Sequence, residues 1–184
     1  MSQRDSGYER KERDLYETPE WVTAALLVEG FRKPVVVWEP AAGSGKMLRV
    51  LEQLDAEVIG TDIDAGQDFM EQNPPPGCDC IITNPPYELA TEFIDRSLGM
   101  MRRVGGQVAM LLRTDFDHAK TRGNLFAECP AFAKKIVLTK RIRWFEDSKG
   151  SPSFNHAWFI WDWKHSGPPT LAYGPSKWRM GPNL

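Results

Sequence analysis

The side chains best suited to chemistry in this sequence stand together in Asn84-Pro85-Pro86-Tyr87. This segment follows an apolar run, residues 78–83, whose composition predicts a buried strand. Because proline has a fixed φ and no backbone donor, two successive prolines must end that strand. An amide, backbone carbonyls and an aromatic ring then meet at the strand's carboxyl end, where open α/β sheets bind ligands. Such a corner could hold a planar NH2 group between two acceptors and a stacked ring.

A second candidate site precedes this segment. Residues 35–38 predict a strand, followed by the turn Glu39-Pro40-Ala41-Ala42-Gly43-Ser44-Gly45 and a helix over 47–54. Glycines at a helix N-terminus let the backbone approach a ligand closely. The next predicted strand, 57–62, ends in Asp62, whose carboxylate could bind two ribose hydroxyls. Pro40 and Met47 break the P-loop pattern, and Leu48 breaks the full dinucleotide fingerprint. The spacing nevertheless favours a nucleotide-type ligand.

The elements around these motifs alternate between helix and strand. Thr18-Pro19-Glu20 predicts a helix start, with Thr18 as N-cap and Gly30 at the end. A further helix is predicted over 89–101, and strands over 107–112, 136–139 and 157–161. This order predicts an α/β fold with a doubly wound, mostly parallel sheet. We expect a flexible N-terminal tail at 1–14, the main domain at 15–166 and a proline-rich C-terminal tail at 167–184.

Composition narrows the protein class. The 184 residues are 41% hydrophobic and 26% charged, which fits one soluble domain. No apolar run approaches the roughly 20 residues that span a bilayer, and the polar N-terminus is no secretory signal. Three cysteines without metal-ligand spacing predict reduced thiols in a cytoplasmic protein. The three histidines lack acidic partners at ligand spacing, so no metal site is predicted. The tryptophans at 158, 161 and 163 are expected in the core or on the sheet surface rather than as stacking platforms.

Charge is distributed unevenly along the chain. Residues 1–95 hold 8 lysines and arginines against 19 acidic residues, whereas residues 96–184 hold 15 against 6. This division suggests that one part of the molecule contacts a polyanion. The alternative is that opposite charges interleave on the folded surface. The candidate phosphate contacts are Lys134, Lys135, Lys140, Arg141 and Arg143, which could equally form a solvated face.

Residues 15–163 resemble the amino-methyltransferases that use S-adenosylmethionine, in the motif order of the gamma-type DNA adenine methyltransferases. Asn84-Pro85-Pro86-Tyr87 matches the family's catalytic motif letter for letter. Tyr16-Glu17-Thr18-Pro19, the glycine turn, Asp62-Ile63 and Asp68-Phe69 are similar to its cofactor motifs. The resemblance implies the seven-stranded, Rossmann-like class I methyltransferase sheet with one late antiparallel strand. It also implies S-adenosylmethionine as cofactor.

The resemblance assigns a role to each matched residue. The N-terminal motif would contact the methionine part, Asp62 the ribose, Ile63 and Phe69 the two faces of the adenine ring, and Asp68 its amino group. The implied cofactor residues are Tyr16, Thr18, Pro19, Glu39, Ala41, Gly43, Gly45, Asp62, Ile63, Asp68, Phe69 and Asn84.

The implied reaction is methylation of the exocyclic amine of adenine in DNA, with Asn84, Pro85, Pro86 and Tyr87 as the catalytic segment. The Asn84 oxygen and the Pro85 carbonyl would accept hydrogen bonds from the amine, while Tyr87 would stack on the base. We expect Phe145, in preference to Trp144, as a second aromatic wall, with core packing as the alternative for either. A base within a duplex would have to be flipped out of the stack to reach this site.

Other acceptors stay open, because ribosomal RNA amino-methyltransferases and release-factor glutamine methyltransferases share Asn-Pro-Pro-Tyr. The alternatives are methylation of an RNA base amine or a protein glutamine amide, or a subunit that binds cofactor or nucleic acid without catalysis. Gamma-type enzymes usually carry a target-recognition domain after the catalytic one, and residues 167–184 are too few for it, as in small phage or prophage methyltransferases. We therefore expect low sequence specificity, or readout by the 115–133 and 146–156 loops or by a partner. The sequence leaves the oligomeric state open.

Overall fold

A computed structural model describes residues 16–144 and 154–174, and its strands form one sheet. Within these residues the sheet has seven strands in the order β2-β1-β3-β4-β6-β5-β7. β6 is antiparallel to both of its neighbours, and the other neighbouring pairs are parallel. The strands are β1 Val36–Glu39, β2 Glu57–Gly60, β3 Cys80–Thr83, β4 Gln107–Arg113, β5 Phe132–Leu138, β6 His156–Asp162 and β7 Thr170–Gly174. The predicted mostly parallel, seven-stranded sheet with one late antiparallel strand is confirmed.

Helices pack on both faces of this sheet, as a doubly wound fold requires. The helices are α1 Glu20–Glu29, α2 Lys46–Leu51 and α3 Ala90–Arg102. Alternate residues of each buried strand point to opposite faces, so the core divides into two clusters. One contains Trp161 and the apolar side of α3, and the other contains Trp158 and residues of α1 and α2. Trp158 and Trp161 are fully buried, and Trp163 is partly buried against the cluster of α3, so the expectation of core or sheet positions for the three is confirmed.

The seventh strand lies in the segment that the sequence assigned to a C-terminal tail, and that expectation is wrong for Thr170–Gly174. β7 pairs in parallel with β5 along its whole length and forms one edge of the sheet. Gly174 permits close packing against α1, because an added Cβ would stand 3.1 Å from the Cβ of Ala25. The prolines around this short run obscured a strand whose Thr, Leu and Tyr residues have good β propensity.

The start of α1 differs slightly from the prediction. The helix begins at Glu20 and Pro19 is its N-cap, with no side-chain capping bond. It ends at the predicted Gly30, whose φ of 76° suits glycine.

The described cysteines are free thiols, and burial raises the pKa of Cys78 to about 11, which makes it a poor nucleophile. Within the described residues, no helix combines the length and apolar character that a bilayer crossing needs.

Candidate active site

A cavity lies beyond the carboxyl ends of β1, β2 and β3, with about 880 Å³ of empty space that includes its open mouth. Its walls include ten of the predicted cofactor residues, namely Tyr16, Thr18, Glu39, Ala41, Gly43, Asp62, Ile63, Asp68, Phe69 and Asn84. Pro19 and Gly45 do not line it, because Pro19 caps α1 and Gly45 stands at the start of α2. Asn84 and Pro86 line the cavity, whereas Pro85 and Tyr87 do not.

The glycine turn between β1 and α2 forms one wall of this cavity. Gly43 and Gly45 have φ values of 51° and 79°, the left-handed region that favours glycine. Among the described atoms, none lies within 4 Å of the point where a Gly43 Cβ would stand. The backbone N–H of Ala42 donates to the Thr61 carbonyl at 3.0 Å, which ties the turn to the segment after β2. The turn therefore has open space in front of a fixed backbone.

Asp62 joins this turn to the segment that follows β2. Its Oδ2 accepts the Gly43 N–H at 2.7 Å, and its Oδ1 accepts the Asp64 N–H at 2.9 Å. A carboxylate has about four lone-pair sites, so these two bonds leave capacity on both oxygens. Asp62 can therefore fix the shape of the cavity and still accept hydrogen bonds from the hydroxyls of a ligand.

Glu39, the last residue of β1, is a buried acid in the cavity wall. It is 1% exposed, and within the described chain its Oε2 makes no hydrogen bond. Burial raises the pKa of Glu39 well above its usual value, and the Asp62 carboxylate raises it further. A buried carboxylate without a partner is energetically costly and is stabilised when a positive group comes close to it. Glu39 is therefore suited to the cationic part of a ligand.

The N-terminal segment 16–18 closes one side of the cavity. Glu17 forms an ion pair of 2.6 Å with Lys46, the first residue of α2. Hydrogen bonds from Lys46 and then Ser44 lower the pKa of Glu17. Thr18 is 5% exposed. The Glu17–Lys46 pair thus links this segment to the helix that follows the glycine turn.

Apolar side chains line the mouth and the inner wall of the cavity. Ile63 is 58% exposed and Leu89 is 42% exposed, so both offer apolar surface to a ligand in the cavity. Phe69 is 2% exposed and its ring lies 4.4 Å from that of Phe93. Asp68, just before it, accepts the Met70 N–H on Oδ1 at 2.8 Å. A flat apolar ring could therefore enter between these side chains beside an acidic group.

Asn84 stands directly after β3, at the border of the cavity. Its Nδ2 donates to the backbone carbonyl of Tyr16 at 3.1 Å. Because the NH2 half of the amide is directed at Tyr16, the Oδ1 half is directed away from it. The Asn84 oxygen is thereby oriented as a hydrogen-bond acceptor. The predicted neighbour Pro85 is buried, and its imposed φ ends the strand at this point.

Four rings contact one another and are called the aromatic cluster below: Tyr16, Tyr87, Trp144 and His156. The Tyr16 ring centre lies 5.7 Å from that of Tyr87 and 5.4 Å from that of Trp144. His156 contacts Trp144 edge-on at 5.2 Å, and its Nε2 lies 2.8 Å from the Tyr87 hydroxyl. Of the two predicted walls, Trp144 belongs to this cluster and Phe145 lies outside the described residues. Tyr16 lines the cavity as well, so the cavity and the cluster share a wall.

Solved structures with the same architecture are known, although no protein-family model and no curated protein matches this chain. A protein from Listeria monocytogenes described as a class I S-adenosylmethionine-dependent methyltransferase gives a TM-score of 0.58 at 17% identity, over 85% of this chain and 65% of that one. The type I restriction-modification methyltransferase subunit from Streptococcus thermophilus gives 0.58 at 12% identity, over 86% and 47%. A dimethyladenosine transferase from Plasmodium falciparum gives 0.57 at 15% identity, over 80% and 62%.

The chain has the class I methyltransferase fold. At such low identities the likeness is one of architecture, and the chain spans less than two thirds of the length of each of these three proteins. In this fold the cavity described above lies at the carboxyl edge of the parallel strands, the usual ligand position of open α/β sheets.

Several residues that line this cavity were not predicted as site residues. Lys46, Met47, Asp64, Leu89 and Phe93 line it as well. Lys46 and Met47 had a detectable signal, because they begin the helix after the glycine turn. The other three have no local pattern that marks them. Leu89 and Phe93 reach the cavity because the strand exit at Pro85-Pro86 leads directly into α3.

The predicted phosphate contacts divide into two groups. Arg141 and Arg143 are exposed after β5, and Arg141 donates to Asn155 at 3.0 Å. Lys140 is also exposed, with its Nζ 5.4 Å from the centre of the Trp21 ring. These three residues lie at the same sheet edge as Asn84.

The expectation for Lys134 and Lys135 is wrong, because both have structural partners inside the fold. Lys134 Nζ donates to the carbonyls of Glu29 and Gly30 at 3.0 and 3.1 Å. It thereby satisfies carbonyls at the end of α1. Lys135 Nζ donates to Asp117 at 2.7 Å and to the Thr114 carbonyl.

Proposed function

We propose that this protein transfers a methyl group from S-adenosylmethionine to the exocyclic amine of a nucleic-acid base, first of all N6 of adenine in DNA. The observation that carries this proposal is the orientation of Asn84. Its amide NH2 donates to the Tyr16 carbonyl, so its oxygen is directed away from that carbonyl, and the residue lines the cavity. An amine held there would meet an oriented acceptor beside a ligand cavity.

The chemistry of the cavity fits S-adenosylmethionine, which is cationic at its ammonium and sulfonium groups. Glu39 is a buried carboxylate with an oxygen that lacks a hydrogen bond within the described residues. Asp62 keeps lone pairs for ribose hydroxyls, and exposed Ile63 would be covered by an adenine ring.

The protein's part in the reaction is to position and polarise the amine. When bound, S-adenosylmethionine supplies a methyl group on a positively charged sulfur. The exocyclic amine of adenine is a weak nucleophile, because its lone pair is delocalised into the ring. Hydrogen bonds from its two N–H groups to the Asn84 oxygen and the Pro85 carbonyl favour a tetrahedral nitrogen with a localised lone pair. The methylated nitrogen is an acid that loses its extra proton readily, so positioning supplies most of the acceleration.

The aromatic cluster would hold the base that carries this amine. Tyr87 follows the acceptor Asn84 by three residues. The ring centre of Tyr16 lies within 6 Å of the ring centres of both Tyr87 and Trp144. Stacking a base on an aromatic side chain contributes about 1–3 kcal/mol. This offsets part of the few kcal/mol needed to extrude a base from a duplex, and an already unpaired base avoids that cost.

The distribution of charge supports a polyanionic acceptor. The exposed side chains of Lys140, Arg141 and Arg143 follow β5 on the side of the aromatic cluster. Arg113, at the end of β4, is 44% exposed, lies over the ring of Phe154 and is already paired with Asp115 at 2.9 Å, so it is a weaker candidate than these three. Cations in such positions neutralise phosphates and make binding salt-dependent. These contacts do not distinguish DNA from RNA, so methylation of an unpaired RNA base is the second candidate.

Labelled S-adenosylmethionine tests the proposal with four acceptors offered separately: duplex DNA, single-stranded DNA, RNA and a release factor. We expect label in DNA, and N6-methyladenine after digestion to nucleosides. Label in RNA alone would refute the DNA assignment, and label in the release factor would support the glutamine alternative. Transfer to none of the four would contradict the proposed enzymatic function.

Asn84→Ala tests the role of the amide, with Asn73→Ala as the matched control. Asn73 is exposed in the loop before β3 and does not line the cavity. We expect Asn84→Ala to lower kcat by about 100-fold or more, as for loss of an oriented polar group in a transition state. Cofactor binding, measured by calorimetry, should survive. Activity within tenfold of the parent would show that the amide does not polarise the amine.

A further inference from the structure

His156 is a buried histidine at the aromatic cluster, for which the sequence offers no role. It begins β6 opposite Arg113 of β4 and is 2% exposed. Its Nε2 lies 2.8 Å from the hydroxyl oxygen of Tyr87, a residue 69 positions earlier in the chain. Its ring also packs edge-on against Trp144 at 5.2 Å. One imidazole therefore contacts both the catalytic segment and the far wall of the cluster.

A purely structural role explains these contacts poorly. An apolar side chain would fill a buried position on β6 at lower cost, because a buried imidazole must find hydrogen-bond partners. A metal-ligand role has no support, since the described residues contain no group of three His, Cys, Asp or Glu side chains that could hold an ion. The partner of His156 is instead the hydroxyl group of the tyrosine that follows Asn84-Pro85-Pro86.

The hydrogen bond has a geometric consequence for Tyr87. A tyrosine ring has two side-chain torsions, and the second is broad in energy. The hydroxyl oxygen lies on the axis of that second torsion, so a bond at this oxygen fixes the first torsion and with it the position of the ring beside Asn84. The neighbouring ring of Tyr16 then restrains the plane that Tyr87 offers to a stacked base. The environment suits this task, because burial and the Arg113 guanidinium lower the pKa of His156 to about 4. The ring is therefore neutral near pH 7 and can remain buried beside Trp144.

We propose that His156 is a positioning residue, which holds the Tyr87 ring through its hydroxyl so that the acceptor base stacks with its amine directed at Asn84. This inference rests on the proposed function, because it concerns the acceptor side of the same site. His156 itself touches neither cofactor nor acceptor in this role. Its effect should therefore pass through the Tyr87 hydroxyl alone.

A double-mutant cycle tests that dependence. We compare His156→Leu, Tyr87→Phe and the double variant with the parent, on the nucleic acid that accepts the methyl group. Each single change should lower kcat/KM by about tenfold, the size of one lost hydrogen bond. The double variant should fall within about twofold of the weaker single variant, because both changes break the same bond. Cofactor affinity should stay within twofold of the parent throughout.

A conservative variant separates positioning from packing. The amide of Gln can reach the place of the imidazole Nε2, so His156→Gln should recover most of kcat/KM whereas His156→Leu does not. His165→Gln is the control, since His165 follows β6 at the opposite edge of the sheet. The inference would be overturned if the kcat/KM losses of the two single variants multiply in the double variant. It would also be overturned if His156→Gln has a kcat/KM as low as that of His156→Leu.

The same experiments keep this inference apart from the proposed function. A parent protein that transfers no methyl group to any acceptor refutes the proposed function, and the role of His156 falls with it. An active parent with multiplied losses refutes the role of His156 alone. A drop in cofactor affinity or in Tm for His156→Leu that accounts for its lost activity would also overturn it.

Discussion

The buried ring of His156 leads to a sharp prediction about stability and pH. Its pKa falls from 6.5 to about 4, first because of burial and second because of Arg113 on β4, while Phe154 and Asp115 act in the opposite direction. Tyr87 and Trp144 are its other neighbours. Between about pH 4 and 6.5 the unfolded chain binds more protons at this residue than the folded protein does. The free energy of unfolding must therefore decrease as the pH falls through this window.

The size of the effect follows from the two pKa values. With 6.5 in the unfolded chain and about 4 in the folded protein, His156 costs about 2.5 kcal/mol of stability at pH 4.5 and almost nothing at pH 7.5. Urea unfolding followed by tryptophan fluorescence at both pH values measures it. Between pH 7.5 and pH 4.5, the free energy of unfolding of the parent and of the His165→Gln control should decrease by about 2.5 kcal/mol more than that of His156→Gln. The difference isolates His156, because this residue is present in the first two proteins and absent from the third.

Equal losses in all three proteins would refute this reasoning. They would mean that the His156 ring takes up a proton in the folded state as easily as in the unfolded one. An imidazole so accessible to protons would not be buried against Tyr87 and Trp144. The geometry from which its positioning role was inferred would then be wrong as well.

Three further variants test other parts of the molecule. Because the pKa of Glu39 is raised, the affinity for S-adenosylmethionine should decrease as the pH falls, and Glu39→Gln should abolish this dependence in calorimetry. The same pH dependence in the parent and in Glu39→Gln would contradict this role. Lys46→Met should weaken cofactor binding through loss of the Glu17 pair while costing less than about 1 kcal/mol of stability, and equal affinities would argue against that role. Gly106→Ala should destabilise by about 1–3 kcal/mol in urea, since its Cβ would stand 2.7 Å from the Asp79 carbonyl; unaltered unfolding would disprove this clash.

The donor half of the site was predictable because its signals are local in the sequence. Glycines at 43 and 45 need positive φ, and Asp62 follows the next strand at a spacing that places it beside Gly43. Adjacent parallel strands bring their carboxyl ends to one edge, so strand order alone positions these groups. The strand exit at Asn84 follows in the same way from two prolines.

The acceptor half was less predictable, because it depends on contacts distant in sequence. Tyr87 meets His156 only because β6 pairs antiparallel with β4, which brings its first residue to the edge where β3 ends. The residues around His156 in the sequence do not indicate that this histidine will contact Tyr87. Lys134 shows a related limit, since residue type reveals a charge but not the carbonyls that will accept its hydrogen bonds.

The acidic and basic halves of the sequence form different sides of the sheet. In the order β2-β1-β3-β4-β6-β5-β7, the strands of the acidic half of the chain occupy one side and those of the basic half the other. The division falls between β3 and β4, next to Asn84. Carboxylates therefore surround the cavity proposed for a cationic methyl donor, and the exposed cations after β5 border the cluster proposed for a polyanionic acceptor. If the proposed function holds, we expect this arrangement to attract each reactant to its own side of the Asn84 amide, whereas charges that interleave on the surface would cancel locally.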